Sequence, residues 1–201
     1  TLEVGDSNQP FLDAAHHFET VVPAQVLYSG KCGEAVTWSL DSDGVLTLEG
    51  IGGMYDYSTN NQPWAALKNS IVKIVVKDGV TRIGHYAFYG CGKATDYELA
   101  ESVTAIGNNA FAECDSLTTI VISDRITAIG SSCFAYCNGI ASIALGDGLQ
   151  TIPSYAFMGC TSLKTMTLPL SVRHIGYAAF HNCTSFREVD CQFTEVMWNT
   201  L

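Results

Sequence analysis

Five phenylalanines recur in this chain at a fixed step of 23 residues: Phe88, Phe111, Phe134, Phe157 and Phe180. Each one is preceded five positions earlier by an isoleucine and followed three positions later by a cysteine. A fixed period in the twenties predicts a solenoid, in which each repeat buries its apolar side chains against the next repeat. Such a coil presents an extended surface, and this indicates a role in binding other macromolecules.

The apolar residues of each repeat also predict a parallel sheet. Each repeat begins with an alternating segment, which is typical of a strand with one buried face. The residues expected to face inward recur at the same step: Ile74/Val76, Tyr97/Leu99, Ile120/Ile122, Ile143/Leu145, Met166/Leu168 and Val189/Cys191. We expect these six strands to stack in parallel on one side of a right-handed coil. The Phe-x-x-Cys spacing predicts short helical turns on the other side, and residues 71–201 then hold five repeats and a partial sixth.

Residues 25–70 lack this period and are predicted to form an N-terminal β-hairpin cap. Residues 36–40 and 45–49 alternate between apolar and polar types, and the Asp-Ser-Asp-Gly at 41–44 has the composition of a turn. A solenoid needs an end unit that covers its first repeat, and Trp38 and Trp64 are large enough to contribute to it. Residues 1–24 are predicted to be either a leader or a short docked helix.

The cysteines of the repeats are predicted to be buried free thiols: Cys91, Cys114, Cys137, Cys160 and Cys183. Residues one period apart lie on neighbouring rungs about 4.8 Å apart. That separation is wider than the roughly 3.8 Å between the Cβ atoms of a disulfide. A thiol buried in this way acts as a small apolar residue and not as a nucleophile. The pairing of Cys32 and Cys191 stays open at this point.

Composition and motifs exclude several functions. A net charge of −10 with only ten Lys and Arg residues argues against binding of nucleic acid. No apolar run is long enough for membrane insertion. Neither the histidines nor the Asp41-x-Asp43-Gly44 segment has the spacing of a metal site. We therefore predict a protein that is not an enzyme, with no catalytic residue, metal or cofactor.

The repeat resembles that of a known family. A 23-residue unit with Ile-Gly, Ala-Phe and Cys, followed by an aliphatic strand, is similar to the BspA-type leucine-rich repeat, also called the Treponema-type repeat. Residues 29–33, 37–40 and 44–48 resemble the leader that often precedes such repeats in surface proteins of gut Firmicutes. The resemblance covers residues 25–192 and implies a leucine-rich repeat solenoid. It also implies a secreted or cell-surface bacterial protein, and some members of the family bind host matrix proteins or other bacteria.

Two surfaces of the coil are candidate binding sites. The outward-facing residues at the middle of the strands form one row: Val75, Glu98, Val121, Ala144, Thr167 and Asp190. The small side chains at its centre either allow a protein to approach the backbone closely or simply suit a flat sheet. On the turn side the alternative surface consists of tyrosines: Tyr86, Tyr136, Tyr155 and Tyr177. These either bind a partner or a sugar, or they shield the phenylalanines from water.

The function favoured by this reasoning is a non-catalytic protein-binding module that acts in adhesion. Its partner is expected to be a host matrix protein or a bacterial surface protein. A structural spacer within a longer surface protein and a carbohydrate-binding surface are the alternatives. The sequence does not indicate which oligomeric state the protein adopts. Trp198 takes the isoleucine position of the partial sixth repeat, so either it plugs an open end or the chain continues beyond it.

Overall fold

Three antiparallel strands form the N-terminal part of the structure. The structure is a computed structural model that describes residues 23–191. Its first strands are β1 (Val26–Lys31), β2 (Gly33–Asp41) and β3 (Val45–Met54), paired in the order β1-β2-β3. The Asp41 carboxylate accepts hydrogen bonds from the backbone N–H groups of Asp43 and Val45, at 3.0 and 2.9 Å. These bonds close the turn between β2 and β3.

The rest of the described chain is a β-solenoid of about five turns. One side of the coil carries six four-residue strands: β4 (Lys73–Val76), β6 (Asp96–Leu99), β8 (Thr119–Ile122), β10 (Ser142–Leu145), β12 (Thr165–Leu168) and β14 (Glu188–Cys191). A second side carries β5 (Val80–Ile83), also of four residues, and four two-residue strands: β7 (Ala105–Ile106), β9 (Ala128–Ile129), β11 (Thr151–Ile152) and β13 (His174–Ile175). Neighbouring repeats pair in parallel at a step of 23, for example Ile120 with Ile143. The prediction of a leucine-rich repeat solenoid is confirmed in this coarse form.

Strand β3 belongs to both parts of the molecule, which the sequence analysis did not predict. Its first half pairs in parallel with β4, so that Leu46 lies beside Ile74. Its second half pairs with β5, where Gly52 lies beside Val80. The step between these partners is 28 residues instead of 23. The 23-residue period therefore gives no sign that β3 pairs with the first repeat.

The third side of the coil consists of turns, and the predicted helical turns are not found there. The only helix in residues 23–191 is a 3-10 helix at Ala65–Ser70, before the first repeat. Two positions in every repeat adopt positive φ, one two residues before the phenylalanine and one two residues after it. The first set is Tyr86, Asn109, Ser132, Tyr155 and Ala178, and the second is Gly90, Glu113, Tyr136, Gly159 and Asn182. Left-handed residues cannot continue an α-helix, so they divide each segment into successive turns.

The backbone hydrogen bonds between the turns around the phenylalanines run in one direction. In four repeats the N–H of the phenylalanine donates to a carbonyl of the following repeat, as Phe88 does to Ala110 at 2.7 Å. The left-handed residues donate in the same sense, as Tyr86 does to Asn108 at 2.9 Å. The turn side thus presents carbonyls towards the N-terminal end of the coil and N–H groups towards the other end.

The N-terminal part satisfies the first of these carbonyls. The backbone N–H of Tyr57 donates to the carbonyl of His85 at 3.0 Å. The indole Nε1 of Trp64 donates to the carbonyl of Ala87 at 2.9 Å. The Trp64 ring also stacks on Phe88, with ring centroids 6.0 Å apart. These contacts support the proposed cap role of residues 25–70, which stays a proposal.

The phenylalanines form a continuous column inside the coil. Successive ring centroids are 5.0 Å apart for Phe88–Phe111, 5.4 Å for Phe111–Phe134, 5.6 Å for Phe134–Phe157 and 5.4 Å for Phe157–Phe180. The first four rings are fully buried, and Phe180 is partly buried. Each ring is therefore held by a neighbour above and below, as expected for a stack of repeats.

The repeat thiols lie beside this column as free cysteines. Each from the second repeat onward donates to the carbonyl of the previous phenylalanine, as Cys137 does to Phe111 at 3.0 Å. Burial raises the pKa of Cys91 and of Cys160 to about 12. Cys183 is half-buried, and burial raises its pKa as well. These thiols stay protonated near neutral pH, which fits a structural role.

The pairing of the shorter strands is interrupted between β9 and β11, beside Pro153. In other repeats a glycine occupies this position because a Cβ there would collide with the preceding repeat; on Gly107 it would lie 2.6 Å from the backbone N of His85. Gly107 and Gly176 also donate to isoleucine carbonyls of the preceding repeat, at 3.0 and 2.7 Å. Proline has no N–H to donate, and β11 pairs with β13 but not with β9.

The parallel sheet itself is interrupted, which corrects the prediction of one continuous six-stranded stack. Strands β8, β10, β12 and β14 form one sheet, whereas β4 and β6 join the N-terminal strands through β3. No backbone hydrogen bond joins residues 95–100 to residues 118–123, all of which the structure describes. The cause lies in Tyr97, which occupies an inward position where the other repeats have isoleucine, methionine or valine. The predictions for residues 1–22 and for Trp198 lie outside the described residues.

Candidate protein-interaction surface

The predicted row of outward-facing residues falls into two parts in the structure. Val121, Ala144, Thr167 and Asp190 are neighbours in register on β8, β10, β12 and β14. We call these four residues the sheet strip. Val75 and Glu98 are in register with each other on β4 and β6, on the far side of the interruption. The structure therefore does not bring all six residues into one row.

The sheet strip is accessible and is formed mostly by small side chains. Val121 is 59% exposed, although its apolar side chain forms no hydrogen bonds with water. Ala144 is partly exposed, and Thr167 and Asp190 are exposed. Short side chains on adjacent strands leave the backbone close to the surface, so a partner can approach without displacing bulky groups.

Acidic residues border the sheet strip. A hollow of about 420 Å³ beside Val121 and Ala144 is also lined by Glu101, Asp124 and Arg125. A smaller hollow of about 190 Å³ lies by Thr167 and Asp190, where Asp124 and Asp147 contribute to the lining. The Arg125 Nε lies 3.7 Å from a Glu101 carboxylate oxygen, so this cation is already paired. The strip therefore has a negatively charged border.

Beyond Val121, the interruption of the sheet opens as a hollow of about 440 Å³ between β6 and β8. It is lined by Asp96, Tyr97, Glu98, Leu99, Thr119, Val121, Ser123 and Ile126. The Tyr97 hydroxyl accepts a hydrogen bond from the Val121 N–H at 2.8 Å and donates one to the Val121 carbonyl at 3.2 Å. This phenol thus takes both backbone bonds that a neighbouring strand would make at Val121.

Sequence reasoning placed Tyr97 in the core and overlooked this hollow. The Tyr97 ring does pack against Phe111, with ring centroids 5.6 Å apart. Its hydroxyl, however, needs a polar partner, and the nearest groups are those of the strand edge. The sequence signal for this site was a tyrosine at a position that is aliphatic or methionine in the other repeats: Ile74, Ile120, Ile143, Met166 and Val189.

The four turn-side tyrosines form two separate groups. The rings of Tyr155 and Tyr177 meet edge to face, 5.6 Å apart, and these residues are 36% and 76% exposed. Tyr86 and Tyr136 lie instead around a hollow of about 190 Å³, together with Tyr89 and Glu113. Tyr89 donates a hydrogen bond to Glu113 at 2.5 Å, which raises the Tyr89 pKa to about 12, with burial adding to the shift.

The potential metal ligands and the thiols of the described residues can be considered together. In residues 23–191 there is no group of three or more His, Cys, Asp or Glu side chains placed to hold a metal ion. Burial also holds the pKa values of Cys114 and Cys137 well above the ordinary value. No helix in this part of the chain has the length and apolar character needed to cross a membrane.

Comparison with known families identifies the repeats. The family described as "BspA type Leucine rich repeat region" matches residues 65–189, in six copies. The match begins at the 3-10 helix, before the first 23-residue repeat, which agrees with the place of Trp64 at the head of the phenylalanine column. A comparison with curated protein sequences finds no match.

Solved structures with the same fold come from several bacteria. A leucine-rich repeat protein of T. pallidum is 21% identical, with a TM-score of 0.52, over 81% of this chain and 90% of that chain. A leucine-rich repeat protein of Bacteroides ovatus is 22% identical, with a TM-score of 0.52, over 84% of this chain and 53% of that one. The pneumococcal vaccine antigen PcpA is 16% identical, with a TM-score of 0.56, over 84% of this chain and 51% of that chain. At these identities the likeness shows the fold alone.

Proposed function

Because the chain belongs to the BspA-type leucine-rich repeat family, whose repeats cover residues 65–189, we propose that it is a non-catalytic protein-binding module. We assign it a role in adhesion, as part of a secreted or cell-surface bacterial protein. The family resemblance supports the location, since such repeats are typical of exported proteins. Its expected partner is a host matrix protein or a bacterial surface protein.

The observation that carries this proposal is the sheet strip. Val121, Ala144 and Thr167 lie in register on three paired strands and point away from the core. None of these side chains is needed to fill the interior, which Ile120, Ile143 and Met166 already occupy as buried residues. Short side chains on adjacent strands let a protein partner approach the backbone closely, and Val121, at 59% exposure, adds apolar area to such a contact.

The area of a typical interface and the acidic border of the sheet strip indicate which kind of partner fits this surface. A stable interface buries about 800 Å² on each partner, and its energetic hot spots lie near the centre. Here the centre is Val121 and Ala144, and the border contains Glu101, Asp124 and Asp147. A protein with a flat apolar centre and basic residues around it would complement this surface.

Paired substitutions test the assignment. Val121→Arg and Ala144→Arg place bulk and charge on the sheet strip without altering the core. We expect each to weaken binding of a captured surface protein at least tenfold, which corresponds to about 1.4 kcal/mol. Tyr136→Ala and Tyr155→Ala on the turn side serve as matched controls and should bind normally. The opposite pattern would assign the site to the turn side instead.

The alternatives predict different results from the same variants. A carbohydrate-binding surface predicts a response on glycan arrays that is lost with Tyr155→Ala and Tyr177→Ala, because exposed aromatic rings stack on sugars. A structural spacer predicts that neither the arginine variants nor the tyrosine variants change any binding measured with the complete protein.

A further inference from the structure

The interruption between β6 and β8 leaves two strand edges facing each other. At the neighbouring junctions, Thr95 donates to Val72 at 3.0 Å and Ala141 donates to Thr118 at 2.8 Å. The equivalent bond from Thr118 to Thr95 is not formed, although both residues are described. The turn side continues across the same junction, where Phe88 donates to Ala110 at 2.7 Å. The coil is thus closed on its turn side and open on its sheet side.

Alternation along the strands identifies which backbone groups point into this opening. In a parallel ladder successive residues direct their N–H and C=O groups to opposite neighbours. Ala100 donates to Val76 at 3.0 Å, so the even-numbered residues of β6 face β4 and Tyr97 and Leu99 face the opening. On β8, the bonds from the Tyr97 hydroxyl show that Val121 faces the opening, as does Thr119 two residues earlier. Backbone donors and acceptors therefore line both sides.

The charges around the opening favour a basic ligand. Asp96 and Glu98 line it directly, and Glu101 and Asp124 lie at its end near the sheet strip. Lys73 forms ion pairs with both Asp96 and Glu98, and Arg125 pairs with Glu101. Four carboxylates against two cations leave an excess of negative charge, in a chain whose net charge is −10.

We propose that the opening between β6 and β8 is a strand-addition site for an extended segment of a partner protein that carries alternating basic residues. The backbone of the segment would bond to the unpaired edges on both sides, and its basic side chains would lie beside Asp96 and Glu98. Main-chain bonds give such complexes affinity, and the alternate side chains give them specificity. Tyr97 would act as a latch, because its hydroxyl occupies the bonds of Val121 until the segment replaces it. This proposal rests on the proposed function, and it names the part of the partner that is recognised.

A synthetic peptide tests the proposal directly on the complete chain. The probe has seven residues that alternate lysine and valine, with blocked ends. Fluorescence anisotropy is expected to show binding of this peptide but not of its glutamate–valine counterpart. Methylation of the valine backbone nitrogens, which keeps the charge but removes donors, should weaken binding at least tenfold. Equal binding of the methylated peptide would mean that charge alone holds it, and this would overturn the proposal.

Two substitutions of Tyr97 provide the matched variants. Tyr97→Ile places at this position the residue found at Ile74, Ile120 and Ile143, so we expect β6 and β8 to pair. Amide hydrogen exchange should then slow at Thr119 and Val121, and peptide affinity should fall at least tenfold. Tyr97→Phe keeps the ring but removes the latch, and it should bind the peptide as tightly as the parent or more tightly. Unchanged binding by Tyr97→Ile, or a tenfold loss with Tyr97→Phe, would contradict strand addition.

The same variants separate this proposal from the proposed function. A protein partner that is lost with Ala144→Arg but kept with Tyr97→Ile supports the sheet strip and overturns the strand-addition site. Peptide binding that is lost with Tyr97→Ile, while Ala144→Arg changes no protein binding, supports the strand-addition site and overturns the sheet strip.

Discussion

The turn side and the sheet side of this coil are built from the same repeats but differ in regularity. On the turn side every repeat has the same two left-handed positions, the same buried column and the same direction of hydrogen bonding. On the sheet side β6 and β8 do not pair. The Tyr97 hydroxyl instead accepts the hydrogen bond of the Val121 N–H. The difference indicates that the turn side is the regular part of the coil, whereas the sheet side accommodates departures from the repeat.

The largest effect that we expect is a loss of folding stability at alkaline pH, caused by the buried thiols of the turn side. The ordinary thiol pKa is 9.0, and burial raises that of Cys91 and of Cys160 to about 12. Below pH 9 the thiols are protonated in both the folded and the unfolded chain, so their contribution to stability is fully present. As the pH rises from 9 towards 12, only the unfolded thiols ionise, and stability is lost by up to about 1.4 kcal/mol per pH unit for each buried thiol.

Urea unfolding at pH 8, 9, 10 and 11 measures this loss. Stability should be constant up to about pH 9 and should then fall steeply, before tyrosine ionisation contributes above pH 10. Native protein at pH 8 should also resist thiol alkylation until denaturant is added. Rapid modification of Cys114 or Cys137 in the folded state would show that the column is not closed.

Truncation of the phenylalanine column is the next effect in size. Phe134 is fully buried between Phe111 and Phe157, so Phe134→Ala should cost about 3–5 kcal/mol. Phe180 is only partly buried, so Phe180→Ala should cost less. Urea melts of both variants provide the measurement. Equal losses would indicate that the column is uniform along its length and would weaken the contrast between its middle and its end.

Much of this turn side could be predicted from the sequence, because period and burial follow from the same residues. The Phe88-to-Phe180 step identified the column, and the cysteine step identified the free thiols. The prediction of helical turns was wrong because the Phe-x-x-Cys spacing fits consecutive tight turns as well as a helix. The sequence does not mark the left-handed positions, because their residues are of unrelated types, from Tyr86 to Ala178. The opening at Tyr97 was missed because an aromatic residue at an inward position normally fills a core, and its hydroxyl's partner depends on three-dimensional contacts.

A smaller effect is expected from the left-handed positions themselves. Ala178 has a φ of 53°, a conformation that costs a non-glycine residue about 1 kcal/mol or more. Ala178→Gly should therefore raise stability by up to about 1 kcal/mol, even though glycine adds freedom to the unfolded chain. The adjacent Ala179 is buried without positive φ, so Ala179→Gly should lower stability. Thermal melts that rank these neighbours in the reverse order would contradict the role assigned to the left-handed residues.

The smallest effect should come from the sheet side. Val121 is 59% exposed, so Val121→Arg should change the free energy of unfolding by no more than about 0.5 kcal/mol. Differential scanning calorimetry of this variant beside Phe134→Ala measures both sides of the comparison in one experiment. A large loss with Val121→Arg would show that the sheet side is also a stability element, and the division between the two sides would fail.

The one-way hydrogen bonds of the turn side also have a consequence for how the chain is assembled during synthesis. A polypeptide emerges with its N-terminus first, so the carbonyls of His85 and Ala87 find their donors in Tyr57 and Trp64 before any later repeat exists. Each subsequent repeat then brings acceptors to a row of donors that is already in place, as Ala110 does for Phe88. The growing coil thus displays the same row of N–H donors after each repeat, and we expect repeats to join it in the order of synthesis.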